Sequence, residues 1–278
     1  MVIKCYSKIN LTLKVNFKSK NGLHEIQSLY SLIDLFDQIK VSKNKKIKDE
    51  IIFKGPFAKF VNKRNNSVNT LIKKLRELNL ISTYYSIEIT KNIPVFGGLG
   101  GGTSNAAFLL KYLLKDKIDN HLLEELEGKI GSDLKLFFVG QGFLKDLKTI
   151  NKFKKKYKFH YILIQPNIKC STKEIYSHVK RYSKKKKFDK KISFSKKNFL
   201  NYVSKSGNDL QFIVEKKYPI ISKLLVDIKN QKGCYLSRIS GSGSVCYGLF
   251  PKLINAKKAL NKLKIKYPKF WFSIAKTV

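Results

Sequence analysis

The sequence predicts an α+β protein in two halves, 1–150 and 151–278. Three observations carry that expectation. Apolar residues alternate at period two in some stretches and recur at helical spacing in others, with no internal repeat. Each half holds one glycine-rich turn, Gly97–Gly102 in the first and Arg238–Gly243 in the second. A lysine-dense segment, 151–158, reads as a solvated linker just past the boundary.

Taken in order, Met1-Val2-Ile3-Lys4-Cys5-Tyr6 runs straight into a strand-like pattern. It lacks the zones of a signal peptide, so a cytoplasmic location is expected. Residues 8–15 alternate, with Ile9, Leu11, Leu13 and Val15 on one face and Lys8, Asn10, Thr12 and Lys14 on the other. This predicts one half-buried strand that carries Lys8 and Asn10 on its polar face. Asn21-Gly22 reads as a turn, Ile26–Val41 as an apolar-rich stretch and Lys43–Asp49 as a lysine-rich loop. Val68, Leu71, Ile72, Leu75 and Leu78 mark a helix, while Tyr85, Ile87 and Ile89 mark a strand. After the glycine cluster, Leu109, Leu110, Leu113 and Leu114 repeat as a helix face, and a second helix spans His121 to Ile130. In the second half His160–Gln165 is a short buried strand and 184–191 a second lysine-dense loop. Asn208–Val226 is helical with a break or new start at Pro219. Val245–Phe250 is a strand, and Leu253–Leu263 a helix.

Composition narrows the function. The chain has 278 residues, 43% of them hydrophobic, and every apolar run is interrupted by charge, so no membrane association is expected. Cys5, Cys170, Cys234 and Cys246 are widely spaced without Cys-x-x-Cys, which speaks against a disulfide framework or zinc site. The remaining histidines, His121, His160 and His178, lack ligand spacing and read as structural; no protein-held metal is expected. Lys and Arg together number 57 against 19 acids, a formal charge of +38. Such a charge suits nucleic-acid binding. Yet nearly all of it is lysine, travelling with Ile, Asn, Tyr and Phe, and base recognition favours arginine forks. A compositional bias is the preferred reading, with no nucleic-acid partner.

The strongest local signal is Pro94-Val95-Phe96-Gly97-Gly98-Leu99-Gly100-Gly101-Gly102-Thr103-Ser104-Asn105. A strand, a glycine-rich loop and a helix N-terminus together make an anion site. Glycines let amides approach phosphate oxygens, and the helix dipole adds partial positive charge. The loop is neither a Walker A motif nor a Gly-x-Gly-x-x-Gly fingerprint.

This loop, continued by Ala106-Ala107, resembles the phosphate loop of the GHMP kinases. Three further stretches agree in order: Ser7-Lys8-Ile9-Asn10-Leu11 with Gly22-Leu23-His24-Glu25-Ile26, then Gly131-Ser132-Asp133, then Ile239-Ser240-Gly241-Ser242-Gly243-Ser244. The resemblance implies a ribosomal-protein-S5-like N-terminal half, a ferredoxin-like C-terminal half, and transfer of the ATP γ-phosphoryl group to a hydroxyl with Mg²⁺. It casts Asp133 as the general base and Lys8 as the catalytic lysine. Residues 94–105 would hold the nucleotide. It implies further that His24, Asn10 and Tyr176 bind the substrate, a cytidine-diphosphate-linked methylerythritol in the branch of the family matched most narrowly. Thr103 and Ser104 are candidate Mg²⁺ ligands.

Three positions depart from the family pattern: Leu23 where an aromatic is usual, Phe96 for a small residue, and Lys135 for a proline. The rival readings are a homoserine- or mevalonate-type kinase of the same family, or a basic RNA-binding protein of S5-like topology. A monomer or a homodimer is expected.

Overall fold

A computed structural model of the chain describes residues 2–19, 22–153, 156–187 and 195–278. Asn21 of the expected turn lies outside the described residues, as do Lys154, Lys155 and 188–191 of the lysine-dense segments. The chain packs as two compact units, and neither is contiguous. One comprises residues 1–8, 35–95 and 100–139; the other comprises 9–34, 96–99 and 140–278. Packing therefore divides the chain differently from the expected halves at residue 150. Strand β3 is the physical reason. It runs 21 residues, His24–Asn44, and its two ends pair with different neighbours.

In the first unit, the C-terminal part of β3 pairs antiparallel with β5 (Tyr84–Thr90), from Gln38↔Thr90 to Asn44↔Tyr84. Strand β4 (Glu50–Lys54) adds in parallel to β5. Against this lie α1 (Ser67–Glu77), α2 (Gly101–Leu114) and α3 (Asn120–Ile130). Helix α1 starts where the Asn66 side chain accepts from the Val68 and Asn69 amides, satisfying donors that have no intrahelical partner. It buries the spaced set Val68, Leu71, Ile72 and Leu75, as the periodicity predicts. The short α4 (Leu136–Val139) follows the Gly131–Asp133 turn.

In the second unit, the start of β3 pairs with β2 (Lys14–Lys18) and with β6 (Gly142–Leu144), and β6 pairs with β7 (Ile150–Lys152). A separate four-stranded antiparallel sheet has the order β11-β8-β10-β9. These strands are β8 (His160–Gln165), β9 (Leu236–Ile239), β10 (Cys246–Phe250) and β11 (Trp271–Lys276). Helices α8 (Pro219–Lys229) and α9 (Leu253–Lys266) pack on that sheet, giving the makeup of the ferredoxin-like half. Pro219 sits at the first helical position of α8, where its missing N–H costs nothing. The remaining helices are α5 (Thr172–Ser177), α6 (Lys196–Ser206) and α7 (Gln211–Lys217). Phe199 of α6 collects Phe153, Tyr157 and Phe159 around it.

Residues 8–15 are not one half-buried strand: β1 spans Val2–Asn10 and stops before β2 begins. Lys8, Asn10 and Thr12, expected on the polar face of that strand, are all buried. Alternation reveals the two faces of a strand but not whether the polar face is covered.

Candidate active site

Helix α2 starts at Gly100, whose φ of +68° lies in the left-handed region that glycine enters freely. No side chain caps the helix, so its first-turn amides, Gly101 to Thr103, have no carbonyl partner within it. Side chains are excluded on two sides. A Cβ at Gly100 would lie 3.3 Å from Lys8 Cε and 3.0 Å from the Phe137 ring, and one at Gly101 would lie 3.0 Å from Ile93. The glycines therefore do two things: they bend the backbone into the helix, and they let the Lys8 stem lie against it.

Lys8 is 4% exposed, and its Nζ is 3.1 Å from an Asp133 carboxylate oxygen. Asp133 sits in the turn between α3 and α4, held by Leu134 N–H to the Gly131 carbonyl and Leu136 N–H to the Asp133 carbonyl, both 3.1 Å. The two predicted catalytic residues, 125 positions apart in sequence order, thus meet beside the glycine turn in the same unit. An ammonium, a partly exposed carboxylate and uncapped helix amides can together orient a hydroxyl, accept its proton and stabilise phosphoryl charge.

Beneath the turn lies a buried polar cluster that the sequence reading missed. Asp37 is fully buried and forms a short ion pair with Lys91. Its other oxygen accepts from the Asn92 and Ile93 amides at 2.7 and 2.8 Å. Asn105 completes the set, accepting from Lys91 at 2.7 Å and donating to Asp37 at 3.0 Å. Ser104 donates its hydroxyl to the Tyr6 carbonyl at 2.6 Å. Ser104 and Asn105 therefore fasten α2 from below. Burial pushes the nearby Cys5 thiol up to about 12, with the Asp37 charge adding to it. Nothing in the sequence singles this set out: Asp37 shares its apolar run with Asp34, and Lys91 lies six positions before Gly97 in a chain rich in lysine.

Residues Phe96–Leu99 belong by packing to the second unit, where they dock on the Ser240–Ser244 turn. The Phe96 carbonyl accepts from Ser244 N–H at 2.9 Å, and Ser240 Oγ donates to the Gly98 carbonyl at 3.0 Å. A Cβ at Gly98 would fall 2.0 Å from the Ser240 carbonyl oxygen, so only glycine fits. Phe96 itself has φ +59° and a half-exposed ring. Pro94 is buried and Val95 half-buried in the first unit. Lys135, the third departure, is nearly buried and ion-paired with Glu124 and Glu127 at 3.4 and 3.3 Å.

The predicted substrate residues all fall in the second unit. Asn10 donates from Nδ2 to Ser28 at 2.8 Å and from its N–H to Ser240 at 3.3 Å. His24 lies 5.0 Å, centroid to centroid, from Tyr176. Burial, and then the Lys18 charge opposite it in the β2–β3 ladder, hold the His24 imidazole below its usual pKa.

Comparison with known proteins identifies the family. A family profile for the GHMP kinases N terminal domain matches residues 66–139, and one for the GHMP kinases C terminal matches 192–269. A 4-diphosphocytidyl-2-C-methyl-D-erythritol kinase of Pelagibacter ubique is 34% identical, over 99% of this chain and 98% of its own length. One from Wolbachia sp. subsp. Brugia malayi is 31% identical over the same shares. Among solved structures, a 4-(cytidine 5'-diphospho)-2C-methyl-D-erythritol kinase superposes with a TM-score of 0.75 at 21% identity, covering 99% of both chains. Homoserine kinase from Cytophaga hutchinsonii superposes at 0.66 with 17% identity, covering 100% of this chain and 94% of its own.

Proposed function

The chain belongs to the GHMP kinase family, and we propose that it phosphorylates the 2-hydroxyl of 4-diphosphocytidyl-2-C-methyl-D-erythritol with ATP as donor. The observation that carries the chemistry is the Lys8–Asp133 pair, 3.1 Å apart against Gly100 at the start of α2. Asp133 orients the acceptor hydroxyl and takes its proton as the oxygen attacks the γ-phosphorus, while the bond from that phosphorus to the bridging oxygen breaks and ADP leaves. Lys8 stabilises the negative charge that builds on the transferring oxygens, and the uncapped amides of α2 hold the remaining phosphates. Phosphoryl transfer requires positioning and charge stabilisation more than covalent chemistry, so this small set suffices. His24, with its lowered pKa, is neutral at pH 7 and offers a donor and an acceptor to the cytosine edge; Tyr176 offers a stacking face.

Mg²⁺ fits this donor set only as a nucleotide-borne ion. Among the described residues no three His, Cys, Asp or Glu side chains cluster. The Ser104 hydroxyl is committed to the Tyr6 carbonyl. Thr103, on the first turn of α2, is the side chain that would reach the ion, and phosphate oxygens and water would complete its shell. When bound, it neutralises phosphate charge. Among the described residues no helix is long and apolar enough to cross a membrane. Free thiols and ATP as co-substrate support a cytoplasmic enzyme.

The test is ADP release with Mg·ATP and 4-diphosphocytidyl-2-C-methyl-D-erythritol. Turnover is expected with this acceptor and not with homoserine or mevalonate. Turnover on either of those instead would overturn the substrate assignment while leaving the family intact.

A further inference from the structure

We propose that Tyr182 is a second aromatic contact for the pyrimidine base, setting specificity beside His24 and Tyr176. The proposal rests on reading those two residues as the base subsite. The Tyr182 ring lies 6.4 Å from His24, inclined at 32°, and the residue is 46% exposed. An exposed tyrosine alone means little in a chain with 14 of them. What distinguishes Tyr182 is how the backbone beside it is held.

Residues 179–187 contain neither helix nor strand. They are nonetheless fastened directly after the ring. Ser183 N–H donates to the Val15 carbonyl at 2.8 Å, and Asn16 Nδ2 donates to the Ser183 carbonyl at 3.0 Å. Ser183 Oγ donates to Asp209 at 2.7 Å, and Asp209 also accepts from the Val15 amide at 2.9 Å. Three residues on, the Gln27 side chain takes the Lys186 N–H at 2.9 Å and gives to its carbonyl at 2.8 Å. Between them Lys185 pairs with Glu25, the neighbour of His24 in sequence. Connecting segments are ordinarily more mobile than the elements they join. Here they fix a half-exposed ring next to a half-buried imidazole, which is how a contact is preorganised before its ligand arrives.

Stacking of a base is most favourable with aromatic surface on it, while its edge is read by hydrogen bonds. Tyr176 supplies one ring and His24 the edge contacts. Leu23, half-exposed next to His24, is aliphatic. Tyr182 is an aromatic that reaches His24 from another segment. Lys18, opposite His24 in the ladder, adds positive charge for a diphosphate attached to the base.

The experiment measures Kd for cytidine diphosphate by calorimetry at fixed ionic strength, with KM and kcat for the full substrate and for ATP. Tyr182→Ala, Tyr182→Leu and Tyr182→Phe are compared with wild type, and His24→Ala and Tyr176→Ala test the subsite itself. Tyr182→Ala and Tyr182→Leu are expected to weaken cytidine diphosphate roughly 5- to 150-fold, the equivalent of 1–3 kcal/mol for one stacked base. KM for the acceptor should rise in parallel, with kcat and the KM for ATP within about twofold of wild type, and Tyr182→Phe should bind within about twofold. Because the ring is half-exposed, Tm should move by no more than about 2 °C. If Tyr182→Ala binds normally while His24→Ala and Tyr176→Ala do not, the Tyr182 proposal is wrong and the subsite reading survives. If Tyr182→Phe loses as much as Tyr182→Ala, stacking is not its role and the proposal also fails. If none of the five variants changes Kd, the subsite reading falls first and the proposal with it.

Discussion

Lys8 is one cation among 57 Lys and Arg, and in the sequence nothing in its own identity separates it from the rest. Its separation is physical: it is nearly fully buried, and its ammonium reaches Asp133 across the glycine turn. The motif Ser7-Lys8-Ile9-Asn10 was legible, but its burial was not, because alternation cannot report what covers the polar face. The prediction at this scale is kinetic. Asp133→Asn keeps the shape of the side chain and removes the base, so kcat should fall about a hundredfold or more while the KM for ATP changes little. Lys8→Met should lower kcat by a comparable factor. Steady-state kinetics on the purified variants checks both, and an Asp133→Asn enzyme with wild-type kcat would remove Asp133 from the mechanism. Lys135 shows the converse case. It departs from the family pattern, yet Glu124 and Glu127 satisfy it, and no catalytic group is disturbed.

At the scale of elements, the glycine loop depends on what holds its two ends. Phe96–Leu99 dock on the Ser240–Ser244 turn, and the first turn of α2 sits on the Asp37–Lys91–Asn105 cluster. The sequence announced the glycines clearly, since five of them precede a helical face. It did not announce Asp37, which arrives from β3, 68 positions before Asn105. Asp37→Asn leaves Lys91 buried beside a neutral amide and weakens the acceptor of the Asn92 and Ile93 N–H groups. Breaking a buried pair in this way costs on the order of 3–5 kcal/mol. A chain of this size should lose about 10 °C in Tm, readable by calorimetry. Gly98→Ala puts a methyl group 2.0 Å from the Ser240 carbonyl at φ +70°. It should raise the KM for ATP severalfold or more through a displaced loop, and a variant with unaltered ATP kinetics would show that this docking does not matter for the nucleotide.

For the molecule as a whole, charge and histidine burial govern the response to conditions. With a formal charge of +38, association with anionic ATP and a cytidine diphosphate is steered electrostatically, so kcat/KM for both should fall as salt rises from about 0.05 to 0.5 M. Burial lowers the pKa of His24 and of His160, the latter assisted by Lys276 across the β8–β11 ladder. In the unfolded chain both protonate near 6.5, and in the folded chain only at lower pH. Below 6.5 the unfolded state therefore binds more protons, and stability is lost as pH falls through the folded values. Each imidazole contributes at most about 1.4 kcal/mol per pH unit. Glu127 works in the opposite sense, since burial raises its carboxyl. Tm should hold between pH 8 and 7 and decline from pH 6.5 to 5, with a shallower decline in His160→Gln.

The sequence alone determined the element types with strong periodicity, such as α1, β5 and the leucine face of α2, because those signals are local. It also determined that a glycine-rich turn opens α2, because the backbone freedom of glycine is written in residue type. The tertiary structure alone decided which polar residues are buried, where the two packing units divide, and which partners close on the site from distant segments. Those outcomes depend on long-range pairing along a single 21-residue strand and on side chains such as Asp37 and Tyr182. Their sequence neighbourhoods give no sign of what they will touch.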